Sequence, residues 1–490
     1  MKLIVKAVNL TTGGPLVAVL HEKTAKKLGI FPTDRAHITR LKKKEGVHCV
    51  IDISSKGIQE GQIGLFEEVL SKLKIPPGVQ VEVQRAERPT SVQYIKKKLE
   101  GQVLSEKEID SIVSDIVNNE LSETELTYFV AGCYSKGLST QETVALTNAI
   151  VKHGEQLHFK KGEIVCDKHC IGGVAGNRTT MIVIPIIASL GYKIPKTSSR
   201  AITSPSGSAD TMEVLAPVSL NKEKIVRVLR KTNACIVWGG GVDLAAADDK
   251  MIKVRHPLSI DPTGMLLASI MAKKKAAGAT HVLIDIPWGH GAKFETKREA
   301  KKLRKLFLKM GRLLGFKMKV LLTDGSQPIG NGIGPALEAA DVISVLKGDG
   351  PNDLREKAIY MATELLKLIG EKNPEQKVLQ ALESGKAYQK FRDIIYAQGG
   401  LKRPIIPKAK YFYEVNATRD GVIREINNKR IAQVATIAGA PEDKTAGIYL
   451  RVRVGRKVEK GTNIYTIYSN SKQNIDIAIR QLKEINPIVY

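Results

Sequence analysis

Short apolar segments alternate with helical segments through the middle of the chain, and this alternation limits the possible folds more than any other feature. The pattern predicts strands over 163–167, 193–198, 234–239, 281–287 and 317–324, separated by helices over about 178–190 and 222–232 and by helices that begin near Asp261 and Lys297. Such an alternation forms a largely parallel sheet covered by helices. Because ligands bind at the carboxyl ends of parallel strands, we expect a functional site in the loops that follow them.

The segments on either side of this α/β region follow other patterns. Residues 1–87 contain short strand patterns, which predict a small β-rich N-terminal domain. Over 88–157 apolar residues recur three and four positions apart, and Ser105, Ser122 and Ser139 each begin an S-x-x-E capping box, so a helical bundle is predicted. Over 411–490 the pattern is typical of antiparallel strands, and we expect a C-terminal α+β region.

The composition favours a soluble protein of several domains. The chain has 490 residues, of which 43% are hydrophobic and 26% are charged, so it can bury a sizeable core. No apolar run approaches the roughly 20 residues that span a bilayer, and the N-terminal apolar segment is too short for a secretory signal. We therefore expect a cytoplasmic protein.

Five scattered cysteines argue against a zinc site or a disulfide framework. Only Cys166 and Cys170 lie close together, and no second pair completes a zinc ligand set. Reduced, buried thiols are the expected state, and we predict no metal site.

The formal net charge of +26 predicts anionic partners. Basic runs are dispersed along the chain and aromatic residues make up only 5% of it, which weakens the case for nucleic acid, since single strands stack on aromatic side chains. A field that attracts small phosphorylated substrates fits equally well. A lysine-rich surface is also typical of proteins from hot habitats.

A glycine-rich segment, DKHCIGGVAGNRTT at 167–180, follows the first predicted strand and leads into a helix. Gly172, Gly173 and Gly176 leave backbone amides uncovered at the helix N-terminus, and Lys168 adds a positive charge, so the segment is a candidate anion site. It is neither a Walker A sequence nor a Rossmann fingerprint. The alternative is a tight turn without a ligand.

A hydroxyl-rich segment, SSRAITSPSGSAD at 198–210, follows the second predicted strand. It contains six Ser and Thr hydroxyls and one fixed cation, Arg200. Since parallel strands end at the same edge of a sheet, this segment and the glycine-rich segment are expected to lie together and to hold one or two phosphates. The alternative is a solvated linker, although linkers rarely separate short α/β elements.

A third candidate is RHPLSIDPTGMLLASIMAKK, which ends in a predicted helix. Positions 261, 265, 269 and 273 are four apart, so Asp261, Ser269 and Lys273 are predicted to share one helix face, with Arg255 just upstream. The alternative treats Asp261 as a helix N-cap followed by proline, and Lys273 as an exposed lysine. Lys293, after the strand at 281–287, is a further candidate by its position.

Together and in this order, these motifs resemble the thymidine and pyrimidine nucleoside phosphorylase family and, within it, the archaeal-type AMP phosphorylases. The resemblance covers most of 88–490, through SVQYIKKKLEG, DKHCIGGVAGNRT, SSRAITSPSGSADTMEVL, RHPLSIDPTGMLLASIMAKK and AGAPEDKTAGIYL. It implies a helical domain formed by 88–157 with about 247–277, an α/β phosphate-binding domain formed by 158–246 with 278–410, and an active site in the cleft between them. It also implies a homodimer or a larger homo-oligomer.

The reaction that this resemblance implies is phosphorolysis of the N-glycosidic bond of nucleoside 5′-monophosphates. AMP and phosphate would give adenine and ribose 1,5-bisphosphate, with CMP and UMP as further candidate substrates, inorganic phosphate as co-substrate and no cofactor. Asp261 matches the acid that protonates the leaving base. The resemblance assigns nucleotide binding to Gly173, Ser199, Arg200, Ala201, Ile202, Thr203, Ser204, Ser208, Ser269 and Lys293. Candidates for phosphate or base binding are Lys168, Gly172, Arg255 and Lys273.

Two departures separate this chain from the nucleoside enzymes of the family. Those enzymes carry K-H-S-T where this chain has KHCI, so Cys170 and Ile171 remove two hydroxyls from the phosphate loop. They also carry S-G-R-G-L-G-H-T-G-G-T in place of the hydroxyl-rich segment, whose additional hydroxyls would suit the 5′-phosphate that a nucleoside lacks.

Three alternative functions stay open at this point. They are a pyrimidine nucleoside phosphorylase, a phosphoribosyltransferase of related architecture and, more distantly, a basic nucleic-acid-binding or assembly protein.

Overall fold

The computed structural model of the protein describes residues 1–13, 16–43, 45–201, 204–242, 244–258 and 260–490, apart from the side chains of His256 and Lys483. The chain divides into two compact units: Met1–His153 with Ala246–Ala268, and Gly154–Ala245 with Ser269–Tyr490. No helix in the described part of the chain is both long and apolar enough to span a membrane.

Six strands of the first unit close into a barrel. The strands are β1 (Lys2–Ala7), β2 (Val17–His21), β3 (Arg35–Arg40), β4 (Gly46–Ser54), β5 (Gln62–Leu65) and β6 (Gln80–Arg85), joined by α1 (Glu22–Leu28) and α2 (Glu67–Leu73). Their order around the barrel is β1-β5-β2-β4-β3-β6. In β1, Leu3 and Val5 are buried while their neighbours are exposed, as expected of strands with one face toward a core.

Four helices follow the barrel in the first unit: α3 (Ser91–Leu99), α4 (Glu106–Asn118), α5 (Glu123–Lys136) and α6 (Thr140–Lys152). Ser105, Ser122 and Ser139 are the N-caps of the last three, and each forms the complete predicted capping box. The predicted helix starts are therefore confirmed. The boxes determine where each helix begins because they satisfy amide groups that the first turn leaves without a partner.

The second unit contains the predicted parallel strands. Its elements up to residue 324 are β7 (Cys166–Cys170), α7 (Thr179–Ser189), β8 (Ile194–Ser198), α8 (Ser208–Glu213), α9 (Lys222–Thr232), β9 (Ala234–Trp238), β10 (His281–Trp288), α12 (Lys297–Leu314) and β11 (Lys317–Asp324). Between β9 and β10 lie α10 (Ala246–Arg255), in the first unit, and α11 (Thr263–Ala276), which spans the division. The strands form two parallel sheets, β11-β10-β7 and β8-β9.

The first strand of this region corrects the sequence prediction. It was expected over 163–167, but β7 covers Cys166–Cys170. Lys168 is polar and falls outside the predicted strand, yet it is buried like Asp167, and the charges of both are compensated by ion pairs within the unit. Lys168 consequently belongs to the strand and not to the glycine-rich loop, which begins after Cys170.

Four helices pack around α7, which is apolar on all sides and is therefore buried along almost its whole length. They are α13 (Pro335–Lys347), α14 (Asn352–Ile369), α15 (Pro374–Glu383) and α16 (Lys386–Gln398). Gln398, fully buried at the end of α16, accepts a hydrogen bond from Ile236 N at 2.8 Å and donates to Ile236 O and Pro217 O, both at 3.0 Å. One side chain thus satisfies both backbone groups of Ile236 in β9.

The C-terminal region is antiparallel, as predicted. Its elements are β13 (Tyr411–Asn416), β14 (Gly421–Val422), β15 (Glu425–Ile426), α17 (Asn428–Ile437), β16 (Gly447–Leu450), β17 (Lys457–Val458), β18 (Asn463–Ser469), α18 (Lys472–Ile485) and β19 (Ile488–Val489). The main sheet, in the order β12-β16-β18-β13, takes its edge strand β12 (Gly332–Ile333) from the α/β region. The predicted α/β fold class is confirmed, whereas the exact domain boundaries stay a prediction.

We expect Gln398→Leu to lower the free energy of unfolding by about 1–3 kcal/mol, because it leaves the buried amide and carbonyl of Ile236 without partners. Gln389→Leu is the matched control, since Gln389 is an exposed residue of the same helix, and its cost should stay within about 0.5 kcal/mol. Urea unfolding of both variants measures the difference. Equal stabilities would contradict the role assigned to Gln398.

Candidate active site

Strand β7 carries charged side chains toward both of its faces. Successive side chains in a strand point to opposite sides, so Lys168 and Cys170 share one face and Asp167 and His169 the other. In the parallel pairing with β10, Cys170 lies opposite Asp285. Each face holds its own cluster of buried charges.

The first cluster surrounds Asp285, whose carboxylate is fully buried. Lys168 Nζ lies 3.9 Å and Lys357 Nζ 3.3 Å from Asp285 Oδ2. Thr323 donates a hydrogen bond of 2.6 Å to Asp285 Oδ1, and Lys168 donates one of 3.1 Å to Thr180. Burial lowers the pKa of Lys168. Two lysines thus face one carboxylate, which leaves an excess of positive charge.

The second cluster repeats this imbalance on the opposite face. Lys274 Nζ lies 3.0 Å and Lys196 Nζ 3.7 Å from Asp167 Oδ1, and all three side chains are buried. Burial lowers the pKa of Lys196 to about 7, with the Lys274 cation adding to this effect and Asp167 opposing it. Burial also holds the pKa of His169 well below its usual range. The excess of positive charge in this cluster therefore grows as the pH falls below about 7 and Lys196 takes up a proton.

The sequence predictions missed Lys196, Lys274, Asp285 and Lys357. The available signal was a charged residue within an otherwise apolar strand or helix, as in IPKT, MAKKKAA and LIDIP. Such residues are almost never fully buried unless they are paired, so their position in the pattern indicates a polar cluster.

The glycine-rich loop depends on glycine at defined points. Gly172 and Gly173 have φ angles of +90° and +88°, and Gly176 has +71°, a region that other residues rarely adopt. A Cβ atom on Gly173 would lie 2.8 Å from Lys293 Cβ and closer still to its backbone nitrogen, so the loop approaches Lys293 directly. The structure therefore brings together two of the predicted nucleotide-binding residues.

Cys170 contacts this loop at its start. Its sulfur accepts hydrogen bonds from Gly172 N and from Asn177 Nδ2, both at 3.5 Å. Burial raises the pKa of the thiol, so the residue stays neutral. Cys170 acts on the conformation of the loop through these two contacts.

A residue from the C-terminal region also holds the glycine-rich loop. Asn428 is buried at the start of α17; its Oδ1 accepts a hydrogen bond from Ala175 N at 3.0 Å, and its Nδ2 donates one of 2.9 Å to Gly325 O. The sequence analysis did not predict this contact. It joins the loop after β7 to the loop after β11.

Arg178, at the end of the glycine-rich loop, connects that loop to the hydroxyl-rich segment. Its Nε donates to Glu338 Oε2 at 2.5 Å and to Thr211 Oγ1 at 3.0 Å, and one of its terminal nitrogens donates to Ser206 O. Glu338 is almost completely buried. One guanidinium group thus ties the two candidate anion loops together, so they lie side by side as predicted, although β7 and β8 belong to separate sheets.

The hydroxyl-rich segment is closed by Asp210, whose Oδ2 accepts hydrogen bonds from Ala201 N at 2.7 Å and Gly207 N at 2.9 Å. Arg200 donates to both oxygens of Glu213 at 2.6 Å, and its guanidinium lies 5.0 Å from the centre of the Trp238 ring. Arg200 therefore stabilises the loop through its ion pair with Glu213.

The remaining predicted residues of this segment occupy different environments. Ser199 and Ser204 are exposed, Ser208 is half-buried at the start of α8, and Ile202 and Thr203 lie outside the described residues. Lys444 of the C-terminal region reaches the same loop, with its Nζ 3.0 Å from Glu213 Oε2. The cations Arg200 and Lys444 hold the pKa of Glu213 at about 2.

Arg255 and Asp261 lie in the first unit. Arg255 is buried, with its terminal nitrogens 3.7 Å from Asp261 Oδ1 and 3.8 Å from Asp248 Oδ1, while Asp261 is exposed. Helix α11 begins at Thr263, and its first hydrogen bond runs from Leu266 N to Pro262 O. The predicted helix start at Asp261 is therefore wrong by two residues, because Pro262 takes the capping position.

Ser269 and Lys273 lie on α11 in the second unit, where Ser269 is buried and Lys273 half-buried. They are four residues apart and share a helix face, as predicted. Asp261 precedes the helix, so this shared face does not extend to it.

Comparisons with known proteins agree with this architecture. Residues 162–388 match the glycosyl transferase family a/b domain, 92–154 the helical bundle domain of the same family, and 422–489 the pyrimidine nucleoside phosphorylase C-terminal domain. A protein of Thermofilum pendens named AMP phosphorylase is 42% identical over 474 residues, covering 96% of this chain and 92% of that protein. The chain belongs to the AMP phosphorylase family.

A second member of this family, from Pyrococcus furiosus, is 43% identical over 493 residues and covers 99% of this chain and 97% of its own length. Among solved structures, anthranilate phosphoribosyltransferase from Thermus thermophilus has a TM-score of 0.51 at 18% identity, covering 62% of this chain and 98% of its own. That likeness shows the fold. The predicted family is confirmed over nearly the whole chain.

Two adjacent glycines test the close approach of Lys293. Gly172→Ala and Gly173→Ala both place an alanine at a strongly positive φ, at a cost of roughly 1–2 kcal/mol. Only Gly173→Ala also forces a Cβ against Lys293, whereas the Cβ position of Gly172 is open. We expect Gly173→Ala to lose at least about 1 kcal/mol more in urea unfolding. Equal losses in the two variants would contradict this contact.

Proposed function

We propose that this chain catalyses the phosphorolysis of AMP to adenine and ribose 1,5-bisphosphate. The observation that carries the proposal is the 41–43% identity, over nearly its whole length, to several proteins named AMP phosphorylase. The geometry supports it as well, because the glycine-rich loop directly follows strand β7, which carries a cluster of buried lysines on each face. Phosphorolysis of AMP needs binding sites for anions, because both substrates carry a phosphate group.

The proposed role of the cluster around Asp285 is to attract and orient inorganic phosphate, the co-substrate, because this cluster shares a face of β7 with Cys170, which contacts the glycine-rich loop. The cluster has one more lysine than carboxylates, since Lys168 and Lys357 face Asp285. Amide groups of the glycine-rich loop would add hydrogen bonds to the same anion. Phosphate would then attack C1′ of the ribose while the bond to adenine breaks, and its charge would stabilise the positive charge that develops on the sugar. No cofactor or metal enters this proposal.

The proposed role of the hydroxyl-rich segment is recognition of the 5′-phosphate. Arg178 and Asp210 hold its backbone, and the hydroxyls of Ser199 and Ser204 are accessible to a ligand. A substrate without the 5′-phosphate would leave such groups without partners, which is a strong source of discrimination. Nucleosides should therefore be poor substrates.

The release of free base from AMP, adenosine and thymidine, each with and without inorganic phosphate, tests the proposal. We expect turnover of AMP only, and only with phosphate; CMP and UMP belong in the same assay. Equal or better use of the nucleosides would make the protein a pyrimidine nucleoside phosphorylase. A requirement for pyrophosphate and a divalent metal would instead favour a phosphoribosyltransferase.

Asp261 is proposed as the acid that protonates the leaving base, on the basis of its match to the family motif. Asp261→Asn should lower kcat by about 10²–10⁴-fold, the usual contribution of a general acid, with a nearly unchanged KM for AMP. Asp248→Asn is the control, because both carboxylates lie at a similar distance from Arg255. If the two variants lose kcat equally, the role of Asp261 is to compensate Arg255 and not to transfer a proton.

Two further predictions from the sequence complete this proposal. We propose that the protein acts in the cytoplasm and that it forms a homodimer or a larger homo-oligomer, as the family resemblance implies.

A further inference from the structure

A groove of about 710 Å³ lies at the amino ends of strands β10 and β11, away from the loops that follow the strands. Its walls are residues 156–165, which lead into β7, together with Lys275, Gly278, Thr280, His281, Lys317 and Ile369. His281 is the first residue of β10 and Lys317 the first of β11. Every lining residue belongs to the second unit, and none belongs to the two candidate anion loops, so this groove is separate from them.

The walls of the groove are strongly basic. Lys160, Lys161, Lys275 and Lys317 contribute positive charge from three different segments. Glu163 is the one acid among the described lining residues, and its carboxylate is occupied by Lys193 and by the backbone amide of Lys160. The groove therefore has an excess of positive charge, which attracts anions.

One polar atom in the groove wall lacks a partner among the described residues. His281 is only 5% exposed; its Nδ1 lies 2.9 Å from Thr280 Oγ1, whereas its Nε2 is buried without a hydrogen bond. Buried polar atoms are nearly always hydrogen-bonded. When the imidazole is protonated, Nδ1–H can donate to Thr280 and Nε2–H remains for a ligand.

We propose that this groove is a second anion site, which binds a phosphate dianion through His281 Nε2–H, Lys275 and Lys317. The dianion is either free phosphate or the terminal group of a small organic phosphate. The volume of the groove is within the usual range for small-molecule sites, about 300–1,000 Å³. The apolar side chains of Phe159 and Ile369 in the same wall suit the organic part of such a ligand.

Binding at this site should depend on pH. Burial and the Lys317 cation lower the pKa of His281, and burial lowers the pKa of Lys275. A dianion would reverse both effects, so its binding takes up protons and its affinity rises as the pH falls. The other titratable groups that line the groove are His158, Lys160, Lys161 and Glu163.

Sulfate is a suitable probe because it remains a dianion throughout the relevant pH range. We expect equilibrium dialysis of the full chain at about pH 6 to find one more bound sulfate in the native protein than in Lys317→Gln or His281→Gln, with weaker binding at about pH 8. Lys305→Gln is the matched control, since Lys305 is exposed on α12 and outside the groove. It should bind as the native protein does.

Inorganic phosphate and ribose 5-phosphate are then compared as competitors in the native protein. Each is tested for displacing the one sulfate whose binding is lost in Lys317→Gln. Stronger displacement by ribose 5-phosphate identifies an organic phosphate as the ligand, and stronger displacement by inorganic phosphate identifies the free ion. Equal sulfate binding by Lys317→Gln, His281→Gln and Lys305→Gln, or no displacement by either competitor, would overturn the proposal. The measurement uses no turnover, so it does not depend on the proposed reaction. Lys317 is exposed, so the Lys317→Gln variant still provides the test if His281→Gln fails to fold.

Discussion

The arrangement of the second unit depends on buried charge at strand β7. Asp167 and Asp285 each face two lysines in the interior, and burying these ions is tolerable only because they are paired. Taking away one partner would leave an uncompensated buried charge, which is strongly destabilising. The strand therefore has to remain paired with β10 and close to α11, and the loop after β7 starts from a rigid base.

The two candidate anion loops are built on this base by polar contacts, since they contain little that can be buried. Arg178 and Asp210 replace the hydrophobic packing that a loop of glycine and serine lacks, and Asn428 does the same from a distant part of the chain. Groups that are already oriented lose less entropy when a ligand binds. A loop held in this way suits recognition of a compact, highly charged group such as phosphate.

Much of the fold could be predicted from the sequence, because the hydrophobic periodicity and the capping boxes are local signals. The capping serines Ser105, Ser122 and Ser139 begin their helices where the pattern places them. The end of β7 was predicted too early because the polar residues after Asp167 were read as a loop, and the start of α11 was wrong because Pro262 and not Asp261 occupies the cap.

The candidate site was less predictable for a different reason. The sequence indicates which residues are charged but not which charges meet. Arg200 could have faced an anionic ligand, yet it is paired with the side chain of Glu213. The lysines around Asp285 come from segments far apart in the chain. Pairings of this kind depend on tertiary contacts, so a single sequence leaves them open.

The hydrogen bond from Ala175 to Asn428 joins residues 253 positions apart. During synthesis from the N-terminus, the glycine-rich loop thus leaves the ribosome long before the side chain that holds it. Lys444, which contacts the hydroxyl-rich segment, emerges later still. Both loops consequently obtain their full set of contacts only after residues 428 and 444 have been synthesised, so a shorter nascent chain lacks the side chains that hold the two candidate anion loops.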